Sequence, residues 1–327
     1  MDQKIAVVIP SYKVTNHILS VLADIGPEVG RIYVVDDKCP KGSGDFVENH
    51  CPDPRVVVLR HETNQGVGGA VMTGYQAAIR DGVDIVVKVD GDGQMDPKIL
   101  MKFVMPILEG EADYVKGNRF YDLTHIRRMP FIRIFGNSVL SFLTKISTGY
   151  WHVFDPTNGY TAIHSVVAEQ LPLNKISKRY FFESDMLFRL NIVRAHVLDI
   201  PMDAIYGDEQ SNLSVSKVVF EFLGKHIKNF AKRIFYNYFL RDMNLASIEL
   251  IFSLLLIILG FSYGLLYWIK AAVSKMQTPL GTIMLISLSI LIGFQLLLGF
   301  LSYDISNVPK KAIHPYLIRR SLKINNK

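Results

Sequence analysis

The chain has 327 residues, of which 49% are hydrophobic, and carries a formal net charge of +6 with a sequence pI of about 9.1. With only two cysteines, Cys39 and Cys51, the composition excludes a disulfide framework and predicts a reducing, cytoplasmic compartment. The basic charge lies beside apolar spans, which favours a membrane surface over a nucleic acid as its partner. Met1 to Lys4 lead straight into a strand, so we expect no cleavable signal peptide.

Short apolar runs alternate with helical segments through much of the chain. The predicted strands cover 5–9, 31–35, 56–59, 85–89, 114–115 and 197–200, and helices are predicted over 67–80 and 97–108. This alternation is typical of a mostly parallel sheet with helices on both faces. Ligands of such sheets bind beyond the carboxyl ends of the strands. Asp36 and Asp90 each follow a strand end, so we expect them to share one crevice.

Three carboxylates, Asp90, Asp92 and Asp96, follow the predicted strand over 85–89. Carboxylates this close together repel one another, so such a loop normally binds a cation. Oxygen ligands favour Mg2+ or Mn2+, shared with the phosphates of a substrate, over zinc. A lone Asp-x-Asp would be read as an acidic surface turn. The strand before the loop and the helix start at Pro97 favour the metal site instead.

A glycine-rich stretch from Asn64 to Ala70 leads into the helix predicted over 67–80. Backbone amides at such a helix start would face a diphosphate. Glycines at these positions would equally permit close packing of the helix, and the sequence leaves both interpretations open. Arg119, which follows the strand over 114–115, is placed to bind a second phosphate.

Two later segments, 126–151 and 217–243, interleave basic and apolar side chains. Both have the pattern of amphipathic basic helices that lie at a membrane interface. For the first segment, a core helix with solvated arginines is an equally good interpretation. Between the two segments, Glu183 and Asp185 open a helix, either as acids that stabilise its N-terminus or as groups that face an acceptor.

Two apolar spans follow, over 248–268 and 281–303. The first would be roughly 31 Å long as a helix, which matches the hydrocarbon core of a bilayer. Their length makes a buried hairpin of a soluble protein the weaker interpretation. Basic residues flank the outer sides of the pair, so we expect both termini to be cytoplasmic. Gly260 and Gly264 would either pack the spans together or join protomers, which permits a homo-oligomer.

Four motifs share one resemblance: Val8 to Tyr12, Val34 to Asp37, Asn64 to Ala70 and Asp90 to Pro97. With them the chain resembles the inverting family 2 glycosyltransferases, and most of all the polyprenyl-phosphate glycosyltransferases related to dolichol-phosphate mannose synthase. The resemblance covers residues 4 to about 217 and implies an α/β fold of the GT-A (Rossmann-like) type. In this fold a mostly parallel sheet with helices on both faces would be followed by interfacial amphipathic helices and a two-helix transmembrane hairpin.

The expected domains are a GT-A domain over 1–216 with a membrane-facing segment over 126–151, an interfacial helix over 217–245, a transmembrane hairpin over 246–303 and a basic cytoplasmic tail over 304–327. The resemblance implies roles for single residues as well. Donor and nucleotide binding would fall to Pro10, Tyr12, Asp36, Asp37, Asn64, Gly68, Asp90 and Gln94. The metal would be held by Asp90, Asp92 and Gln94. The acceptor phosphate would be bound by Arg119, Arg128, Arg133 and Lys217. The candidate catalytic residues are Asp90, Asp92, Glu183 and Asp185.

The function implied is metal-dependent, inverting transfer of a sugar from a nucleotide-sugar, a UDP-sugar by the bacterial resemblance, to undecaprenyl or another polyprenyl phosphate. The reaction would take place at the cytoplasmic face of a bacterial inner membrane. A second hypothesis is transfer to a hydroxyl of a lipid-linked saccharide, with Glu183 or Asp185 as the base. A third is a non-catalytic membrane scaffold that binds nucleotide-sugars, which the intact pair Asp90 and Asp92 disfavours.

Overall fold

The computed structural model describes residues 3–121, 131–202 and 215–325. The chain forms two compact units, residues 1–230 with 309–327, and residues 231–308. The strands are β1 Ile5–Ser11, β2 Val29–Asp36, β3 Val56–Arg60, β4 Ile85–Lys88, β5 Tyr114–Asn118, β6 Thr161–His164 and β7 Val197–Pro201. The helices are α1 Ile18–Ala23, α2 Ser43–His50, α3 Val67–Arg80, α4 Leu100–Leu108, α5 Phe131–Thr148, α6 Ser165–Ala168, α7 Phe182–Ile192, α8 Val215–Phe235, α9 Leu245–Ser274, α10 Leu280–Ser306 and α11 His314–Asn325.

All seven strands form one sheet in the order β3-β2-β1-β4-β6-β5-β7. The first four strands of that order run parallel, and β7 runs parallel to β5. Only β6 among these strands is antiparallel to its neighbours, β4 and β5. The expected α/β fold with a mostly parallel sheet is confirmed. The sequence does not predict β6, because Thr161 and His164 interrupt the apolar pattern of this four-residue strand.

The centre of the sheet is buried on both faces, so its strands are continuous apolar runs in the sequence. Val7 and Ile9 of β1, Ile32 and Val34 of β2, and Val87 of β4 are all fully buried. Each such side chain contributes about 1.5–3 kcal/mol to stability when it leaves water. This core fixes the positions of the polar residues that follow β1, β2 and β4 at the carboxyl ends of these parallel strands.

The C-terminal helix packs on the first unit through a buried carboxylate. Asp113, just before β5, accepts hydrogen bonds from the backbone N–H of Ile313 and of His314, each at 2.9 Å. His314 Nδ1 also lies 2.9 Å from Asp113 Oδ1, and the imidazole stacks on that of His164 with 4.5 Å between ring centroids. The start of α11 is therefore bound at the end of the sheet opposite the carboxyl ends of β1 and β4. The cytoplasmic position of this tail stays a prediction.

In the second unit, α9 and α10 have 30 and 27 residues and are each apolar and long enough to cross a membrane. A Cβ on Gly260 would lie 2.7 Å from Ile290 Cγ1, and a Cβ on Gly264 would lie 3.1 Å from Ile286 Cγ2. Both glycines therefore face the other helix of the same hairpin. This contact supports the interpretation that the glycines pack the two spans together.

Candidate active site

A cavity of about 500 Å³ opens at the carboxyl ends of β1, β2 and β4. Seven of the residues predicted for the site line it: Pro10, Tyr12, Asp37, Asn64, Asp90, Asp92 and Glu183. Asp90 lines this cavity as expected, but the second aspartate in the lining is Asp37 and not Asp36. The cavity lining does not include the described residues Asp36, Gly68, Gln94, Arg119 and Asp185. Arg128 and the side chains of Arg133 and Lys217 lie outside the described part of the chain.

The acidic loop after β4 is held by short local contacts. Asp90 Oδ1 lies 2.6 Å from the Nζ of Lys88, and Asp92 Oδ1 accepts a hydrogen bond from the backbone N–H of Gln94 at 3.0 Å. Gly93 has φ of +79°, a conformation that glycine adopts at little cost and that closes the turn. Asp96 caps the following turn through the N–H of Lys98 at 3.0 Å, so this third carboxylate has a structural role.

The donor set of the cavity fits a metal ion shared with a substrate. No cluster of three potential metal ligands from His, Cys, Asp and Glu occurs among the residues that the structure describes. Asp90 and Asp92 supply two carboxylates to the cavity wall. Mg2+ and similar ions are commonly bound by one or two carboxylates together with substrate phosphates. The two side chains would therefore complete a site with a diphosphate rather than hold an ion alone.

Asp36 and Asp37 organise the backbone around the cavity. Asp37 accepts hydrogen bonds from the N–H groups of Gln65 and Gly66, both at 2.7 Å, and lies 2.7 Å from His61 Nδ1. Asp36 accepts from the N–H of Cys39 at 2.7 Å and of Gly44 at 2.6 Å. Both carboxylates thus hold the loops that surround the site, and their contact with a nucleoside stays a prediction.

The glycines before and within α3 allow another segment to approach. Gly66 has φ of +85°, and a Cβ there would lie 2.6 Å from the carbonyl oxygen of Lys178. A Cβ on Gly68 would overlap the carbonyl oxygen of Ser177 and the side chain of Phe182. This geometry supports the packing interpretation of the glycine-rich stretch. Its role as a diphosphate cradle stays a prediction.

The two acids of α7 have different surroundings. Asp185 is buried, and its oxygens accept from the N–H of Ser177 at 2.9 Å and from Asn229 Nδ2 of α8 at 3.2 Å. It is a structural group that ties α8 to the segment before α7. Glu183 instead lines the cavity, and burial raises its pKa to about 8 against the opposing effect of Lys88. Its carboxyl group is therefore mostly protonated at pH 7.

Arg119 forms a bidentate ion pair with the buried carboxylate of Asp155, with Nε–Oδ2 and Nη2–Oδ1 distances of 2.8 and 2.9 Å. Burial alone would raise the pKa of Asp155, but the Arg119 guanidinium holds it below its ordinary value. This pair orders the loop before β6. Binding of an acceptor phosphate by Arg119 stays a prediction.

Four polar or charged cavity residues lie outside the sequence motifs and were not predicted for the site: Lys88, Thr157, Arg179 and Tyr180. A lysine that ends the apolar run of β4 is a detectable signal, because buried lysines need a partner. The other three offer no local signal. They reach the cavity through the return of the chain in β6 and through the contact of the segment before α7 with α3.

The comparison with known proteins decides the family. Residues 6–171 match the model of Glycosyl transferase family 2. The chain belongs to glycosyltransferase family 2. It is 29% identical over 221 residues to the UDP-N-acetylglucosamine–dolichyl-phosphate N-acetylglucosaminyltransferase of Methanococcus voltae, which covers 63% of this chain and 88% of the relative. It is also 29% identical over 231 residues to the undecaprenyl-phosphate mannosyltransferase of Micrococcus luteus, which covers 69% and 92%.

Solved structures support the fold of this family 2 glycosyltransferase. Glucosyl-3-phosphoglycerate synthase of Mycobacterium tuberculosis, in complex with Mn2+, UDP-glucose and phosphoglyceric acid, superposes with a TM-score of 0.53. The sequence identity is 18%, and the match covers 71% of this chain and 79% of that one. The expected GT-A fold is thereby confirmed, and the chain is a glycosyltransferase with two apolar C-terminal helices.

Proposed function

We propose that this glycosyltransferase transfers a sugar with inversion from a nucleotide-sugar, a UDP-sugar, to a polyprenyl phosphate. One observation carries the proposal: Asp90 and Asp92 line a cavity at the carboxyl ends of the strands. The chain around this cavity is similar to two transferases named for lipid phosphates, over about nine-tenths of the length of each. The same cavity is large enough for a nucleoside diphosphate, since ligand sites commonly measure about 300–1,000 Å³.

An oxygen of the lipid phosphate would attack the anomeric carbon from one face. A new C–O bond forms there, and the bond from that carbon to the diphosphate oxygen breaks on the other face. A divalent cation at Asp90 and Asp92 would supply neutralisation of the leaving diphosphate. Because the acceptor phosphate is already an anion near neutral pH, the reaction needs no strong base.

The acceptor phosphate needs cations, and the cavity offers Arg179. An arginine suits this role because its planar fork binds a phosphate through two hydrogen bonds. We propose Arg119, Arg128, Arg133 and Lys217 as further acceptor contacts.

Surfaces of α5 and α8 support a place at a bilayer. Phe135, Val139 and Phe142 lie on one face of α5 at helical spacing and are 56%, 43% and 57% exposed. The α8 residues Phe220 and Ile227 are 76% and 60% exposed. Such faces bind the interface between headgroups and acyl chains. We propose that these faces lie on the inner membrane of a bacterium, with α9 and α10 as the anchor and the catalytic unit and termini cytoplasmic. The proposal does not require a homo-oligomer.

Detergent-purified protein, Mn2+, undecaprenyl phosphate and a panel of UDP- and GDP-sugars provide the test. We expect mass spectrometry to detect a glycosylated lipid phosphate from one UDP-sugar, and EDTA to abolish it. Undecaprenol, which lacks the phosphate, is the matched control and should give no product. Donor hydrolysis without a lipid product would contradict the proposal.

One observation favours a second candidate, transfer to a hydroxyl of a lipid-linked saccharide. Glu183 lines the cavity with a pKa of about 8, which suits a general base. A base acts when deprotonated, so kcat/KM would then rise with pH up to about 8 and level off above it. Asp185 is less suited, because its oxygens bind Ser177 and Asn229.

Glu183→Gln separates the two candidates. Glutamine resembles the protonated carboxyl group that Glu183 carries at pH 7, so we expect transfer to undecaprenyl phosphate to change less than about threefold, since no base is needed. If Glu183 is a base, the variant should lose roughly 10²–10⁴-fold in kcat while it still binds the donor. Initial rates from pH 6 to 9, with donor affinity measured alongside, give the answer.

A further inference from the structure

Lys88 is a charged side chain at the floor of the cavity that the mechanism above does not use. It is the last residue of β4 and only 1% exposed. Burying an ammonium group costs several kcal/mol unless the group is paired. Its Nζ lies 2.6 Å from Asp90 Oδ1 and 5.6 Å from the centre of the Phe182 ring. The charge of Lys88 is therefore directed at Asp90.

The space for this ion pair exists because residue 159 has no side chain. A Cβ on Gly159 would overlap Lys88 Nζ and would lie 2.6 Å from Asp90 Oδ2. The φ of Gly159 is not in the left-handed region, so its backbone conformation does not itself require glycine. The requirement for glycine comes from the Lys88–Asp90 pair, which lies against the loop before β6.

We propose that Lys88 is a positioning residue, which holds the Asp90 carboxylate in the orientation needed to bind a divalent cation together with a nucleoside diphosphate. The inference rests on the proposed function only in that it takes the donor to be a nucleotide-sugar. The ammonium is paired with the carboxylate of Asp90, and Asp90 and Asp92 line the same cavity. It offsets their mutual repulsion before a cation arrives.

A purely structural role explains the pair less well. Replacement of a buried ion pair by apolar residues is often neutral or stabilising, so stability alone gives little reason to keep one. Groups that orient a metal ligand typically affect metal affinity by 10–100-fold when they are removed. Both members of the pair line the cavity, and Asp90 lies two residues before Asp92, so such an effect is expected here.

Binding of Mn2+ with UDP, and of Mn2+ with GDP, to the full chain in detergent tests the inference by calorimetry. We expect Lys88→Met and Gly159→Ala each to weaken binding by on the order of tenfold or more. Both changes disrupt the same contact, so the double variant should lose no more affinity than the single variant with the larger loss. Lys98→Met removes an exposed lysine outside the cavity, and Gly30→Ala adds a methyl group where no atom lies closer than 3.8 Å. Both controls should bind as the wild type does.

Unchanged affinity in Lys88→Met, or losses that add in the double variant, would overturn the inference. A thermal unfolding midpoint measured for each variant shows whether a loss of binding reflects unfolding. The binding assay contains no lipid, so it separates this inference from the proposed function. Nucleotide binding that depends on Lys88 without any lipid product would sink the proposed function alone. A lipid product with binding independent of Lys88 would sink this inference alone.

Discussion

Asp92→Ala is expected to lower kcat/KM for sugar transfer by roughly three orders of magnitude. Asp92 lines the cavity, and the backbone N–H of Gln94 fixes one of its oxygens at 3.0 Å. A bound cation contributes several kcal/mol to stabilisation of a leaving diphosphate, and each 1.36 kcal/mol corresponds to a factor of ten in rate. Initial rates over a range of Mn2+ concentrations measure the effect.

Asp96→Asn is the matched control for Asp92→Ala. Asp96 lies in the same loop, but its side chain caps a turn, and asparagine caps almost equally well. Transfer by this variant should stay close to that of the wild type. If Asp92→Ala retains a tenth or more of wild-type activity at saturating Mn2+, the role of Asp92 in metal binding is wrong.

Asp113→Ala is expected to release the start of α11 and to lower the free energy of unfolding by about 3 kcal/mol. The substitution leaves the buried N–H group of His314 and the partly buried N–H groups of Ile313 and His196 without their acceptor. Each unsatisfied buried donor costs about 1–3 kcal/mol, and partial access of water to the released segment limits the sum. Thermal unfolding and hydrogen exchange at Ile313 and His314 measure the two effects.

The same contact predicts a dependence on pH. Burial raises the pKa of Asp113, but hydrogen bonds from His314, His196 and Ile313 outweigh burial and lower it. A pKa that is lower in the folded state stabilises the protein fully above the unfolded value of about 4, and this stabilisation is lost as the pH falls further. Glu111→Ala, which removes an exposed acid two residues earlier, is the control. Unchanged amide protection in Asp113→Ala would contradict the role of Asp113.

The sequence predicts those parts of the fold in which neighbours along the chain carry the pattern. The helix predicted over 67–80 is α3 to the residue, and the two apolar spans are α9 and α10, which extend beyond the predicted ends by one to six residues. The strands of the sheet centre are equally clear, because burial on both faces makes them continuous apolar runs. Asp90 and Asp92 are predictable for the same reason, since they follow one such run directly.

What the sequence does not predict depends on contacts between distant residues. β6 pairs with β4 across more than seventy residues, and its short pattern carries no local signal. The function of Gly159 becomes visible only when Lys88 and Asp90 are seen beside it. Likewise, Glu183 and Asp185 are equivalent acids in the sequence, and only the approach of α8 shows that Asp185 binds Asn229.

The bonds of Asp185 join the segment before α7 to α8. Arg179 and Glu183 line the cavity, and Asp185, two residues after Glu183, binds the backbone N–H of Ser177 and the side chain of Asn229 in α8. The chain continues from α8 into the two apolar helices. The order of the cavity residues Arg179 and Glu183 therefore depends on a contact with a helix of whose described residues none lines the cavity, and loss of the Asp185–Asn229 contact should disturb the site without a change in any cavity residue.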